Sequence, residues 1–338
     1  MFKLFPAFNP RLDWIQVAVT SRCTAQCVYC PRTVLRRQWK NLDMDFQVFS
    51  DFISGISGVN LIYLQGWGEP FVHPRFWDML ALVKKKGFLA GCTSNAGMLD
   101  SDSLEKAVDY GLDIIAFSLA GIGENNDRTR KATSYKQVRW AAEKLGEIKA
   151  RKNSPVPAVH LAYMVLRSGL DDLKGLSSVI LDSGIDHAVL STLSLPLDRK
   201  LEMEAVIADS PEEYRDIKSW ISSLFSGPKL CDKVFAHFYN PFAGPGTCTE
   251  NVQRALCLSP EGRVSPCVMT QVPAKPPAGY MFKGTWRPLE QVDFGNITRQ
   301  KLKHIWHSQR YRRFRRNPDL QQCSWCTLNR IDSTLCPD

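Results

Sequence analysis

The chain has 338 residues, of which 44% are hydrophobic and 23% are charged, a balance typical of a globular protein with a sizeable core. No uninterrupted apolar run of about 18 residues occurs, and the first residues (MFKLFPAFNPRLDW) lack the features of a signal peptide, so we expect a cytoplasmic protein without a membrane span. The net charge of +9 permits an anionic partner.

Short apolar runs alternate with helix-like stretches through the first 200 residues. The helix that covers SDSLEKAVDYG is predicted to be capped by Ser101 or Asp102. Repeated strand–helix units need right-handed crossovers and give an α/β barrel or a doubly wound sheet. The runs, which are rich in branched residues as buried parallel strands are, lie at 14–20, 61–65, 88–94, 113–119, 158–166 and 187–195.

A cysteine-rich loop follows the first predicted strand. The sequence SRCTAQCVYCP places Cys23, Cys27 and Cys30 at C-x3-C-x2-C spacing. Three thiolates on one loop can hold three irons of a cubane cluster and leave the fourth iron without a protein ligand. An open coordination site allows a metal centre to bind and activate a small molecule. Structural zinc is the alternative, although it prefers four closed ligands.

This loop resembles that of the radical S-adenosylmethionine superfamily. The resemblance implies that the unique iron is chelated by the amino and carboxylate groups of S-adenosylmethionine. An electron from the cluster then cleaves the cofactor to methionine and a 5′-deoxyadenosyl radical. The resemblance also implies catalytic and metal-binding roles for Cys23, Cys27 and Cys30, and a position beside the adenine for Tyr29. The expected fold is a partial (β/α)6 TIM-like barrel with the cofactor at its C-terminal mouth.

Motifs at the ends of later strands resemble further elements of that family. QGWGEP (65–70) is similar to the element that binds the methionine amino group, with Trp67 in place of a glycine and with Gly66, Gly68 and Glu69 as candidates. TSNAG (93–97) resembles a ribose-contacting turn, although Ala96 replaces the usual glycine. The remaining cofactor-binding candidates that the resemblance implies are Ser94 and Asn95 for the ribose, and Ser118 and Arg130 for the methionine carboxylate. A strand–helix turn and a surface arginine are the structural alternatives.

The region after residue 240 is rich in Pro and Gly and contains six of the eleven cysteines. Disulfides are disfavoured in a reducing cytoplasm, so clustered cysteines there favour metal binding. The run CLSPEGRVSPC predicts a hairpin, and CSWC (323–326) is a C-x2-C unit. We therefore predict two domains, a core at 1–230 and a smaller metal-organised domain at 240–338.

The second domain resembles the SPASM/Twitch auxiliary domain of the same superfamily. The resemblance implies a second 4Fe–4S cluster, held by Cys248, Cys267, Cys323 and Cys326. Cys257 is an alternate ligand, because it lies on a hairpin arm where a strand residue is expected. Because Cys336 is a further cysteine, a domain with two auxiliary clusters remains an alternative. A zinc ribbon is the structural alternative. We assign no metal role to Cys92, which reads as a small buried hydrophobe, and a structural role to His73.

Seven residues, RYRRFRR (310–316), concentrate much of the positive charge. Such a stretch can bind phosphates, but we favour a solvated helix face with Tyr311 and Phe314 packed inward. Because no nucleic-acid-binding fold surrounds it, we expect no nucleic-acid partner.

The sequence as a whole predicts a radical S-adenosylmethionine enzyme that abstracts hydrogen from a substrate carbon. An auxiliary 4Fe–4S cluster would assist oxidation or bind the substrate, in small-molecule dehydrogenation or in peptide or cofactor maturation. The expected partners are a small-molecule or peptide substrate and an electron donor such as flavodoxin or ferredoxin. The alternative is a non-catalytic iron–sulfur or zinc protein that carries electrons or binds nucleic acid.

Overall fold

The computed structural model describes residues 12–244, 248–318 and 320–332. Within these residues no helix is both long and apolar enough to cross a membrane. The strands in chain order are β1 (Trp14–Val17), β2 (Gln26–Cys27), β3 (Leu61–Tyr63), β4 (Leu89–Ser94), β5 (Ile114–Leu119), β6 (Arg130–Lys131), β7 (Ala158–Val165), β8 (His187–Thr192), β9 (Val234–Tyr239), β10 (Ala255–Leu258), β11 (Val264–Ser265), β12 (Gly279–Phe282), β13 (Thr285–Pro288) and β14 (Ile331–Asp332).

The helices lie mostly between these strands, as a wound α/β fold requires. In chain order they are α1 (Pro31–Val34), α2 (Phe46–Gly55), α3 (Phe76–Lys85), α4 (Ser101–Asp109), α5 (Glu124–Thr129), α6 (Tyr135–Lys152), α7 (Leu173–Asp182), α8 (Arg199–Glu204), α9 (Pro211–Phe225), α10 (Leu302–Trp306), α11 (Gln309–Arg316) and α12 (Gln321–Ser324). Short 3-10 helices cover Pro70–Val72, Arg167–Asp172, Val268–Thr270 and Thr327–Asn329.

One ten-stranded sheet organises the described residues, in the order β11-β10-β1-β3-β4-β5-β7-β8-β9-β14. Neighbouring strands from β10 to β9 pair in parallel, and only the two outer pairs, β11 with β10 and β14 with β9, are antiparallel. The six predicted strands are therefore confirmed, and the α/β fold agrees with a partial barrel. The predicted cap of α4 is wrong, because the side chain of Asp100, not Ser101 or Asp102, accepts the bond from the Ser103 amide.

The helices bury one apolar face against the strands, which forms the main core. Buried members from successive helices include Phe49, Leu80, Leu104, Leu145 and Ile180. Burying side chains of this size stabilises the fold by about 2 kcal/mol each. A second apolar cluster contains the cysteine loop, the segment after β8 and parts of the C-terminal region. This second cluster holds the cysteine loop at the end of the sheet where the parallel strands terminate.

The C-terminal region completes the sheet. The predicted hairpin is present as β10 and β11, and β10 pairs in parallel with β1, Trp14 opposite Ala255 and Val17 opposite Leu258. Strands from both sides of the predicted domain boundary thus belong to one sheet, and the division into 1–230 and 240–338 stays a prediction.

Candidate active site

The cysteine loop is fixed at its middle by a short strand pair. Cys27 in β2 lies opposite Arg130 in β6, and the Cys30 amide donates to the Cys27 carbonyl oxygen at 3.1 Å. Burial, followed by the neighbouring Cys27 thiol, raises the pKa of Cys30 to about 11, and Cys23 adds to the same effect. The structure therefore brings the three thiols together. Because a thiol must lose its proton to bind a metal, a cation has to supply the missing stabilisation.

Arg130 and Tyr29 form a buried pair beside this loop. The Arg130 Nη1 donates to the Tyr29 hydroxyl at 2.6 Å, and both side chains are buried. The Nε of Arg130 is also buried and has no hydrogen-bond partner. A buried guanidinium N–H without a hydrogen-bond acceptor destabilises the fold unless an anion accepts from it. Arg130 is thus poised for an anionic group, and it is not a surface arginine.

The loop after β3 forms a narrow cradle. A side chain on Gly68 would place its Cβ 2.5 Å from the carbonyl oxygens of Thr20 and Arg22, and one on Gly66 would lie 2.4 Å from the Ala18 Cβ. Only glycine fits such contacts with backbone. Glu69, which is 2% exposed, accepts from the Ser94 hydroxyl at 2.9 Å and from the Asn95 amide at 2.7 Å. Burial raises the pKa of Glu69 to about 7.

The turn after β4 connects this cradle to the cysteine loop. The Asn95 Nδ2 lies 3.4 Å from the Cys23 sulfur, and the Asn95 Oδ1 accepts from the Gly97 amide at 2.8 Å. The Ser94 hydroxyl is occupied by Glu69, so its contact with a ribose stays a prediction. Ala96 has a φ of 62°, which explains why glycine is the usual residue there.

Ser118 lies near the end of β5, half-buried and in register with Ala162. Just beyond it, the buried side chain of Asn126 accepts from the Ala120 amide at 3.0 Å. Sequence reasoning missed Asn126, because an asparagine inside a polar helical stretch has no distinguishing pattern. Its bond fixes the turn that leads from β5 to Arg130.

The four predicted auxiliary cysteines converge from three separate segments. Burial, together with the thiols of Cys248 and Cys323, raises the pKa of Cys326 to about 12. Burial also raises the pKa of Cys267, with added effects from Cys326 and Cys248. The described residues contain no group of three His, Cys, Asp or Glu side chains placed to hold a single metal ion. The four thiols are nonetheless electrostatic neighbours, as a cluster site needs.

The other cysteines and His73 differ from this group. Cys257 lies on β10 with its sulfur 3.5 Å from the Gln16 Oε1, and burial raises its pKa, with added effects from Glu250 and Cys267. Cys92 is fully buried in the main core, as predicted. Cys336 lies outside the described residues. His73 is buried, with Nε2 3.0 Å from the Met44 carbonyl oxygen, in agreement with a structural role.

A cavity of about 260 Å³ is bordered by residues next to both cysteine groups. Its lining includes Tyr29, Cys30 and Trp67 from the first half of the chain and Glu250 and Met269 from the C-terminal region. Glu250 also borders a cavity of about 400 Å³ beside β1 and β3, and burial raises its pKa to about 7. Sequence reasoning missed Glu250, because its position depends on how the C-terminal region packs against the barrel.

Comparison with known proteins identifies these features. The radical S-adenosylmethionine superfamily matches residues 17–172, and the SPASM iron–sulfur cluster-binding domain matches residues 248–327. The chain belongs to the radical S-adenosylmethionine superfamily. The first match contains the cysteine loop and the second contains all four predicted auxiliary ligands.

Relatives and structural neighbours agree with this superfamily. The chain is 25% identical to a tungsten-containing aldehyde ferredoxin oxidoreductase cofactor-modifying protein of Pyrococcus furiosus, over 94% of this chain and 88% of that protein. It is 28% identical to a GTP 3′,8-cyclase of Chlorobaculum tepidum, over 41% of this chain and 42% of the cyclase. Streptococcus suis SuiB bound to S-adenosylmethionine superposes with a TM-score of 0.67 at 11% identity, over 95% of this chain and 72% of SuiB. The protein anSMEcpe with bound AdoMet superposes with a TM-score of 0.66 at 15% identity, over 94% and 85% of the two chains.

The cofactors of this radical S-adenosylmethionine enzyme are 4Fe–4S clusters and S-adenosylmethionine. The residues present fit them. Three thiols lie together, the cradle at Gly66 and Gly68 leaves room for a ligand where a Cβ would not fit, and the orphaned Nε of Arg130 suits a carboxylate. The individual roles of these residues stay predictions.

Proposed function

We propose that this enzyme abstracts hydrogen from a carbon of a small organic molecule and so modifies a cofactor or related compound. The observation that carries the proposal is the cavity of about 260 Å³ between Cys30 of the first cysteine group and the segment that follows Cys248. Its size suits a small molecule or one reactive group. The name of the Pyrococcus furiosus relative, a cofactor-modifying protein, supports the same class of reaction.

The lining of this cavity favours a substrate without phosphate groups. It offers the Glu250 carboxyl, the His237 imidazole and hydroxyls such as those of Ser191 and Thr249. None of the described lining residues is a lysine or an arginine, the side chains that suit phosphate. We infer a substrate that donates hydrogen bonds to Glu250, such as an amine or a polyol, rather than a nucleoside triphosphate.

The chain's own residues would bind and orient the cofactor. The cluster supplies an electron, and S-adenosylmethionine supplies a carbon radical that can take hydrogen from an unactivated C–H bond. Arg130 would hold the methionine carboxylate through its free Nε, and the carboxylate of Glu69 would attract the ammonium group. Tyr29 restricts Arg130 to one orientation, and Trp67 closes one wall of the cavity against water.

The cavity also borders residues next to the auxiliary cysteines. The cluster that these cysteines would hold would supply an electron acceptor for the substrate or a binding site for it. Thr249, which lines the cavity, is the residue after Cys248, so the two sites are adjacent. An electron donor such as flavodoxin or ferredoxin completes the system.

The first experiment is anaerobic reconstitution with iron and sulfide, followed by an assay for 5′-deoxyadenosine after reduction with dithionite. We expect product from the wild type and none from Cys23→Ala, Cys27→Ala or Cys30→Ala. Cys92→Ala is the matched control, because Cys92 is buried in the core, and it should retain activity. Activity that survives all three loop substitutions would refute the proposal.

A further inference from the structure

The net positive charge of this protein is concentrated in one segment. Between residues 294 and 318 the chain has eight Lys or Arg residues and no Asp or Glu. The net charge of the whole chain is +9, so eight units of it lie in this segment and the rest of the chain is almost neutral. A charge distribution this uneven produces a strong local potential that steers a partner of opposite charge.

Nearly all of these cations face solvent on and around α10 and α11. We call the exposed members the basic surface: Arg299, Lys301, Lys303, Arg310, Arg312, Arg313 and Arg316. The eighth, Arg315, is buried, with its guanidinium 3.7 Å from the centroid of the Trp306 ring. The basic surface is therefore one face of a well-packed helix pair rather than a disordered tail.

A layer of aromatic rings lies directly beneath the basic surface. Tyr311 stacks on Phe294 with ring centroids 4.1 Å apart, and its ring centroid is 5.1 Å from that of Trp306. Tyr311 is fully buried, and its hydroxyl has no hydrogen-bond partner. The Phe294 amide donates to the Val264 carbonyl oxygen at 2.9 Å, and Val264 lies on β11, three residues before Cys267. The aromatic layer thus lies between the basic surface and the strand that leads to an auxiliary cysteine.

We propose that the basic surface docks an acidic electron-carrier protein, which exchanges electrons with the auxiliary cluster through the Tyr311 layer. One electron passes at a time: the oxidised cluster takes it from the reduced carrier, or the reduced cluster returns to the oxidised carrier the electron that it took from the substrate, and no atom or proton is transferred. The inference rests on the electron donor and auxiliary cluster of the proposed function. Nucleic acid would also match the charge, but it would not account for the packing of the surface against the strand that leads to Cys267.

The test compares two triple variants with equal charge changes. Lys301→Glu/Lys303→Glu/Arg312→Glu alters the basic surface, while Lys86→Glu/Lys136→Glu/Lys229→Glu alters exposed lysines elsewhere. Binding of an acidic flavodoxin is measured by calorimetry at low and high salt. We expect the first variant to weaken binding about tenfold or more and the control to change it less than about twofold. Wild-type affinity should fall as salt rises.

Stopped-flow reduction then separates docking from damage. Reduced flavodoxin should reduce the auxiliary cluster about tenfold more slowly in the first variant, whereas dithionite should reduce both variants at the wild-type rate. Equal rates with flavodoxin, a salt-independent wild-type affinity, or slowing with dithionite as well would each overturn the inference. If the first variant lost binding to a short DNA duplex but still bound flavodoxin, the inference would also be overturned, and nucleic acid would be the partner. A wild type that binds flavodoxin but makes no 5′-deoxyadenosine with dithionite would instead refute the proposed function.

Discussion

The Trp67 indole Nε1 donates a hydrogen bond to the carbonyl oxygen of Val268 at 3.1 Å. Trp67 belongs to the cradle after β3, and Val268 directly follows the auxiliary cysteine Cys267. The tryptophan that interrupts the glycine motif therefore links the cradle after β3 to the segment that follows Cys267.

Trp67→Phe should loosen this junction. The substitution removes the donor and leaves the Val268 carbonyl without it, at a cost of about 1–2 kcal/mol. Urea unfolding measures the loss, and hydrogen exchange should show faster opening near Val268. Trp140→Phe, at a position that is 37% exposed on α6, is the control and should change stability by less than about 0.5 kcal/mol. Equal effects of the two changes would contradict the proposed junction.

Gly68→Ala should disrupt cofactor binding. The added methyl would lie 2.5 Å from two backbone carbonyl oxygens, so the loop has to move. We expect a loss of about 2 kcal/mol in unfolding free energy, and S-adenosylmethionine binding weakened about tenfold or more. Gly146→Ala is the contrast: it lies within α6 with nothing within 4 Å of the new Cβ, and it should stabilise by about 0.5–1 kcal/mol. Unchanged affinity in Gly68→Ala would be inconsistent with the cradle.

Glu69 should make the cofactor-free protein less stable as the pH rises from about 4.5 to about 7. Its pKa in the folded protein is about 7 because of burial, above the ordinary value of 4.5. In that window the unfolded chain has lost the proton and the folded chain still holds it, so ionisation favours unfolding. The penalty is absent at lower pH, grows through the window and is constant above it, reaching about 3 kcal/mol.

Urea unfolding of wild type and Glu69→Gln at several pH values measures this effect. The stability difference between the two should shift in favour of the variant as the pH rises, because glutamine does not ionise. Glu147→Gln, at a side chain that is 67% exposed, should show no such trend. A pH-independent difference for Glu69→Gln would show that its carboxyl is not perturbed.

Cys267→Ala and Cys257→Ala should separate a cluster ligand from its neighbour. Cys267 shares its electrostatic surroundings with Cys248 and Cys326, whereas Cys257 lies on a sheet strand beside Gln16. Cys267→Ala should lower the iron content by about four atoms per chain, and Cys257→Ala should leave it unchanged. Iron and sulfide analysis with Mössbauer spectroscopy provides the measurement. The opposite pattern would make Cys257 the ligand.

The sequence was most informative where a local pattern decides the structure. Apolar runs predicted six strands of the sheet correctly but missed β9, and the buried Tyr311 and Phe314 confirm the predicted inward face of the basic helix. The cap at Asp100 was missed by one residue, since neighbouring Asp and Ser side chains compete equally for that position. The pairing of β10 with β1 could not be predicted, because it joins segments about 240 residues apart and leaves no periodic signature.

The candidate site was also predictable only in part. Cysteine spacing identified both thiol groups, because metal ligands need defined residue types. The bond between Tyr29 and Arg130, the role of Asn126 and the position of Glu250 depend on side chains that meet across distant loops. Such contacts are set by tertiary packing, so a single sequence does not reveal them.

The pairing of β10 beside β1 has a consequence for any shortened form of the protein. Removing the C-terminal region would uncover the backbone donors and acceptors along one side of β1, the strand that leads directly into the cysteine loop. A bare parallel edge invites pairing with another chain. A truncated barrel should therefore self-associate before it loses its secondary structure, so the C-terminal region protects the strand that leads into the cysteine loop from aggregation.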